Sequence, residues 1–143
     1  MTLPAEEARP SGASLPAAIS KAVVRLLREY TGRGPMRVQT TIHDNVVLVL
    51  LEQTLTKGER SLAQIGRAQK VLEIRHEFQD AMREESSAAV AALTGRPVTA
   101  MLSANHIDPD LAAEIYVLDG PPDYDARGWE TPLELASQDG RTS

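Results

Sequence analysis

From residue 15 onward apolar side chains recur at spacings of three and four, with Ile19, Val23, Leu26, Leu27 and Tyr30 on one face of a helix. Ser14 stands where an N-cap is needed and Gly32 where a left-handed residue would end the turn, so the spacing predicts a helix over 15–30. After Pro35 the period drops to two at Met36, Val38, Thr40 and Ile42, and an unbroken aliphatic run follows over 46–51. Asp44-Asn45 separates the two runs, and both residue types tolerate positive φ, which predicts a tight hairpin.

Thr56 and Glu59 have the spacing of a capping box at the head of a second helical stretch. That stretch carries Leu62, Ile65, Ala68, Leu72, Phe78 and Met82, and continues through the alanine-rich 88–93 until Gly95 and Pro97. One unbroken helix of this length would measure about 58 Å, too long for a compact domain of this size, so a break is expected near Gly66. Val98, Ala100, Leu102 and Ala104 then alternate with polar partners, and Asp108-Pro109-Asp110 turns the chain into Ala113, Ile115 and Val117. The order α, β, β, α, α, β, β predicts an α+β fold in which a four-stranded antiparallel sheet has helices packed on one face. It forms a single domain over 14–119. Residues 1–13 and the Pro-rich, acidic 120–143 lack periodicity and are expected to be flexible tails.

Composition narrows the function. The chain has 143 residues, a 3% aromatic content and no cysteine, so it has little from which to build a stacking platform, and no thiolate nucleophile, disulfide or thiolate zinc site. The net charge of −5 argues against nucleic-acid binding, which needs a surplus of cations. Only 15–55 is basic, with Lys21, Arg25, Arg28, Arg33 and Arg37 against Glu29, Asp44 and Glu52. No aliphatic run approaches the length of a membrane span, and Glu6, Glu7 and Pro10 stand where a signal peptide would be basic or apolar. A cytoplasmic protein without direct membrane insertion is expected.

Candidate chemistry is sparse. Gly32-Arg33-Gly34-Pro35, with Arg25, Arg28 and Arg37 nearby, combines bare amides with guanidinium groups as anion sites do. Phosphate loops, however, run from strand into helix, whereas here the helix comes first and presents its carbonyl end. The motif therefore reads as a cap and turn, with a weak anion-binding or partner-contact cluster of Arg25, Arg28, Arg33 and Arg37 as the alternative. His43, His76 and His106 are far apart in sequence, so no metal site is expected. His76 with Glu73, Glu77 and Asp80 reads as a solvated charged face interleaved with Arg75 and Arg83, and His106 as a turn residue. The carboxylate pairs Asp108/Asp110, Asp123/Asp125 and Glu84/Glu85 all fall in turns, tails or exposed helix. Without a nucleophile elbow, a Walker loop or a dinucleotide motif, no catalytic residue and no cofactor are expected, and the chain is not read as an enzyme. A four-stranded sheet has two edges, and pairing with a second copy, as a homodimer or higher oligomer, is one way to protect them; the alternative is that edge charges such as Arg37 and Glu114 suffice.

Tyr30-Thr31-Gly32-Arg33-Gly34-Pro35, the hairpin over 38–51, Leu55-Thr56 with Glu59 and Leu62, Arg75-His76-Glu77-Phe78, and Leu93-Thr94-Gly95-Arg96-Pro97-Val98 together resemble a known family. It is the small domain family formerly called DUF2294, now associated with the MpsC component of a bacterial sodium-translocating, membrane-potential-generating system. The resemblance spans about residues 15–119, and Gly32, Arg33, Gly34, Pro35 and Arg75 are its family-like positions. It implies a small accessory or regulatory subunit, peripheral at the inner face of a membrane and beside transporter subunits that move sodium or bicarbonate. It transfers no catalytic residue. The alternative is a free-standing homo-oligomer that binds a small anion or serves in stress.

Overall fold

The computed structural model describes residues 14–123; the tail expected over 1–13 and all but the first four residues of the tail expected over 120–143 lie outside them. Seven elements follow in the expected order: α1 (Leu15–Thr31), β1 (Arg37–His43), β2 (Val46–Glu52), α2 (Lys57–Gln64), α3 (Ala68–Thr94), β3 (Val98–His106) and β4 (Leu111–Leu118). The fold is α+β: an antiparallel sheet of order β1-β2-β4-β3 carries α1 and α3 on one face, and α2 packs against α3.

The predicted caps form. Ser14 Oγ accepts from Ala17 N at 3.3 Å, and Gly32 takes φ +80° while its N–H donates to Arg28 O at 2.9 Å. At α2 the capping box closes reciprocally: Thr56 N donates to Glu59 Oε1 at 2.8 Å and Glu59 N to Thr56 Oγ1 at 3.1 Å. The expected break falls at Gly66, whose φ of +85° is a left-handed conformation that separates α2 from α3. Ending α2 at Gln64 takes Ile65 out of the predicted apolar stripe and leaves it exposed. Asp44 turns the first hairpin with φ +54°.

The core lies between α1, α3 and the inner sheet face. Leu15, Ile19, Val23, Leu26 and Leu27 of α1 meet Val47, Val49 and Leu51 of β2, Tyr116 and Leu118 of β4, and Met82 and Val90 of α3. Alternation decides which side chains enter: on β4, Ala112, Glu114, Tyr116 and Leu118 point inward and are all buried. Glu114 is not the edge charge that the sequence suggests. The sheet order corrects this, because β4 lies between β2 and β3 and Glu114, paired in register with Val49 and Ser103, is only 4% exposed. The edges are β1 and β3.

The first residues past the predicted domain boundary are held against the end of α3. Arg96 Nε donates to Pro121 O at 2.6 Å, Asp123 N donates to Thr94 O at 2.7 Å, and Pro122 is buried.

Candidate functional site

Helical spacing places Lys21, Arg25 and Arg28 four and three residues apart, on the face of α1 opposite its buried stripe. With Ser20, Val24, Glu29 and the edge-strand residue Val38 they line a groove of about 510 Å³ in which three cations face one carboxylate. Ser20 and Thr40 tie the helix to the edge strand through a hydroxyl hydrogen bond of 2.7 Å. Gly34 is part of this arrangement: a Cβ there would lie 2.9 Å from Arg28 Nε and 3.2 Å from Arg28 Cζ, so the missing side chain gives the guanidinium its place.

Of the four arginines in the predicted cluster, only Arg25 and Arg28 share the groove. Arg33 donates through Nη2 to Gln53 O at 3.0 Å, tying the turn after α1 to the end of β2. Arg37 alternates with Val38, so it falls on the opposite face of the sheet, where Nε lies 3.7 Å from Glu52 Oε2. The four-residue cluster is thus divided by strand alternation. Lys21, absent from it, completes the groove; its position four residues before Arg25 was the available signal.

A second polar arrangement lies beneath α3. Arg75, read from the sequence as part of a solvated face, is 2% exposed, because it shares the inward stripe of Val71, Gln79, Met82, Ser86 and Val90. Its Nη1 lies 3.3 Å from Oε1 of Glu59, itself 5% exposed, and its Nη2 donates to Thr54 Oγ1 at 3.0 Å. Asp110 holds the same loop from the other side, accepting from Thr54 N at Oδ1 and Leu55 N at Oδ2, both at 3.1 Å. The pair Asp108/Asp110 therefore divides into an exposed residue and a structural acceptor.

One helical turn along, Gln79 Nε2 donates to Glu114 Oε2 at 3.0 Å and to Asn105 Oδ1 at 3.1 Å, and Asn105 Nδ2 returns a bond to Gln79 Oε1 at 2.9 Å. Ser103 Oγ donates to the other Glu114 oxygen. Burial raises the Glu114 pKa above the ordinary carboxylate value; the hydrogen bonds from Ser103 and Gln79 and the charges of Arg75 and Arg83 oppose it. Burial also pushes the Tyr116 phenol up. Together these groups pin α2, α3 and the sheet to one another, with the charges held away from water.

Several other polar residues stay on the surface. His76 is exposed, Lys70 pairs with Glu73 at 3.9 Å, and Arg83 pairs with Asp80 at 3.6 Å. His106 Nδ1 lies 2.8 Å from Pro109 O across its own turn, and His43 lies 3.4 Å from Asp44. Among the described residues no group of three or more His, Asp or Glu side chains is placed to hold a metal ion.

The sequence model of a family described as Na+-translocating membrane potential-generating system (MpsC) matches residues 12–120. The chain belongs to the MpsC family. No curated protein and no solved structure matches it. The match takes in all seven elements and every segment that carries the resemblance. Within this MpsC-family domain the family-like positions separate by role. Gly32 caps α1, Gly34 makes room for Arg28, and Arg75 anchors the buried polar layer. Among the described residues no helix is long and apolar enough to cross a membrane.

Proposed function

We propose that this protein is an accessory or regulatory subunit of a membrane-potential-generating system. It works at the cytoplasmic face of a membrane and contacts a transporter subunit through the basic groove of α1. The match of the MpsC family model over residues 12–120 carries the reading. The groove supports it by offering Lys21, Arg25 and Arg28, three cations beside the one carboxylate of Glu29, to an acidic segment of a partner. In this reading the protein is not an enzyme and needs no cofactor: its buried carboxylates Glu59 and Glu114 are committed to Arg75, Gln79 and Ser103, out of reach of a substrate.

The test is a gentle affinity purification of the tagged protein from its own cells, with membrane and soluble fractions analysed separately by mass spectrometry. Recovery of an integral membrane transporter at near-stoichiometric yield is expected, with the yield lost in the Arg25→Glu/Arg28→Glu variant. Recovery of the protein alone, from the soluble fraction, overturns the reading.

The same groove favours one second reading, a free-standing binder of small anions. Phosphate or bicarbonate at one hundred times its dissociation constant would then add about 2.7 kcal/mol of stability. A thermal-shift series that shows no anion-dependent rise removes it.

A further inference from the structure

The outward face of the sheet is apolar where a water-facing sheet is normally polar. On β2, β4 and β3 three successive outward rows are Val46–Val117–Ala100, Leu48–Ile115–Leu102 and Leu50–Ala113–Ala104, each in register across the three strands, and the fourth row, Glu52–Leu111–His106, ends the patch with polar residues on β2 and β3. Leu48 is 37% exposed and Leu102 54%. An antiparallel sheet with one side in solvent alternates apolar and polar residues, whereas β2 is aliphatic on both faces, as strands are when both faces are covered. α1 and α3 pack on the other face and α2 packs on α3, so half of that cover is missing. The apolar area stops sharply at the edge strand β1, whose outward side chains are Arg37, Gln39, Thr41 and His43.

We propose that a second copy of this chain covers the face, as a two-fold sandwich of sheets whose axis runs along β4. The patch suits its own copy. Its apolar rows are centred on β4, so the two-fold places β2 of one copy over β3 of the other. Bulky Val46 and Leu50 then lie over small Ala100 and Ala104, Leu48 lies over Leu102, and Ile115 meets Ile115 at the axis. The polar strand β1 projects beyond the second copy's β3, and Arg37 and His43 stay in water as a rim.

The size is adequate. The three covered strands, about 4.8 Å apart and about 27 Å long, give roughly 390 Å² in projection, so the two faces total roughly 780 Å² when flat, and side-chain relief brings them toward the roughly 1,000 Å² that a specific interface needs. The chain's own continuation is the poorer occupant, since it leaves β4 toward the end of α3, on the helix side, where Asp123 N bonds to Thr94 O. The dimer follows from the sheet face alone and holds whichever partner the groove of α1 takes.

Sedimentation velocity of the full chain at concentrations up to about 100 µM should give twice the 15.5 kDa chain mass. Leu102→Asp and Leu48→Asp, at outward positions that leave the core intact, should each return the chain to monomer with an unchanged far-ultraviolet circular dichroism spectrum. Because the chain has no cysteine, Ile115→Cys reports the axis directly. A short bismaleimide should join two Ile115→Cys chains rapidly and two Thr41→Cys chains, on the projecting strand, at least tenfold more slowly. A monomer throughout the concentration range overturns the proposal and leaves the face to a different protein. A dimer that survives both aspartates, or that cross-links through Thr41→Cys rather than Ile115→Cys, overturns it as well.

Discussion

Replacing Arg75 with methionine removes a guanidinium that is 2% exposed while keeping most of its bulk on the inward stripe of α3. The loss falls on Glu59, which is 5% exposed and keeps only the Thr56 amide of its capping box at 2.8 Å. Thr54 loses a donor at the same time. A buried ion deprived of its partner costs about 3–5 kcal/mol, most of it from the uncompensated charge rather than from the lost attraction. Glu59→Gln removes the opposite charge but retains an acceptor for Thr56 N, so the helix cap survives and the single change should also cost about 3 kcal/mol. The double variant holds no buried charge at this site and should cost only about 1–2 kcal/mol. The coupling between the two positions is therefore large and favours the double variant over the sum of the singles by about 4–7 kcal/mol. Urea unfolding followed by far-ultraviolet circular dichroism measures all four corners of the cycle. With a slope of about 1–3 kcal/mol per molar urea, Arg75→Met alone should lower the midpoint by about 2 M. A loss below about 1 kcal/mol for Arg75→Met, or additive single changes, would refute the reasoning and return Arg75 to a peripheral role.

Two further changes test other links in the fold. Gly32→Val forces a β-branched residue into a φ of +80° and should cost about 1–2 kcal/mol in the same unfolding assay, while Arg33→Ala should cost less than about 1 kcal/mol; equal, small losses would mean that the cap contributes little. Because burial raises the Glu114 pKa in the folded state, the folded protein holds this proton after the unfolded chain has released it; stability from this group is full below the ordinary value of 4.5 and is lost as pH rises through the raised folded value. Glu114→Gln removes that dependence, so its stability relative to the unsubstituted protein should improve as pH rises through the same window, and a difference that does not vary with pH would contradict the assignment.

The sequence by itself determined the local structure, because its signals act over a few residues. Ser14, Gly32, the Thr56/Glu59 box and Gly95 bound helices through the hydrogen bonds and left-handed φ values that those residue types supply, and the change of period after Pro35 marked the strands. The two hairpins and the α+β class followed from the order of those elements, and the Gly- and Pro-based motifs carried the family resemblance that the match over 12–120 bears out. The register of α3 was legible only in part: Met82 of the expected stripe lies inside, but Val71, Arg75 and Gln79 take the buried positions expected for Leu72 and Phe78.

What only the tertiary structure decided was which strand lies beside which and which face each one shows. Sheet order depends on contacts between distant residues, and the placing of β4 between β2 and β3 turned Glu114 from an edge charge into a buried acceptor for Gln79 and Ser103. Strand alternation relative to the helix layer likewise separated Arg37 from Arg25 and Arg28, although all three are neighbours along the chain. The aliphatic run over 46–51 signalled a strand apolar on both faces, but only the packing of α1 and α3 on one side revealed that its other face is bare. Burial is a property of the assembled layers, so sequence spacing can propose a face but cannot say what will cover it.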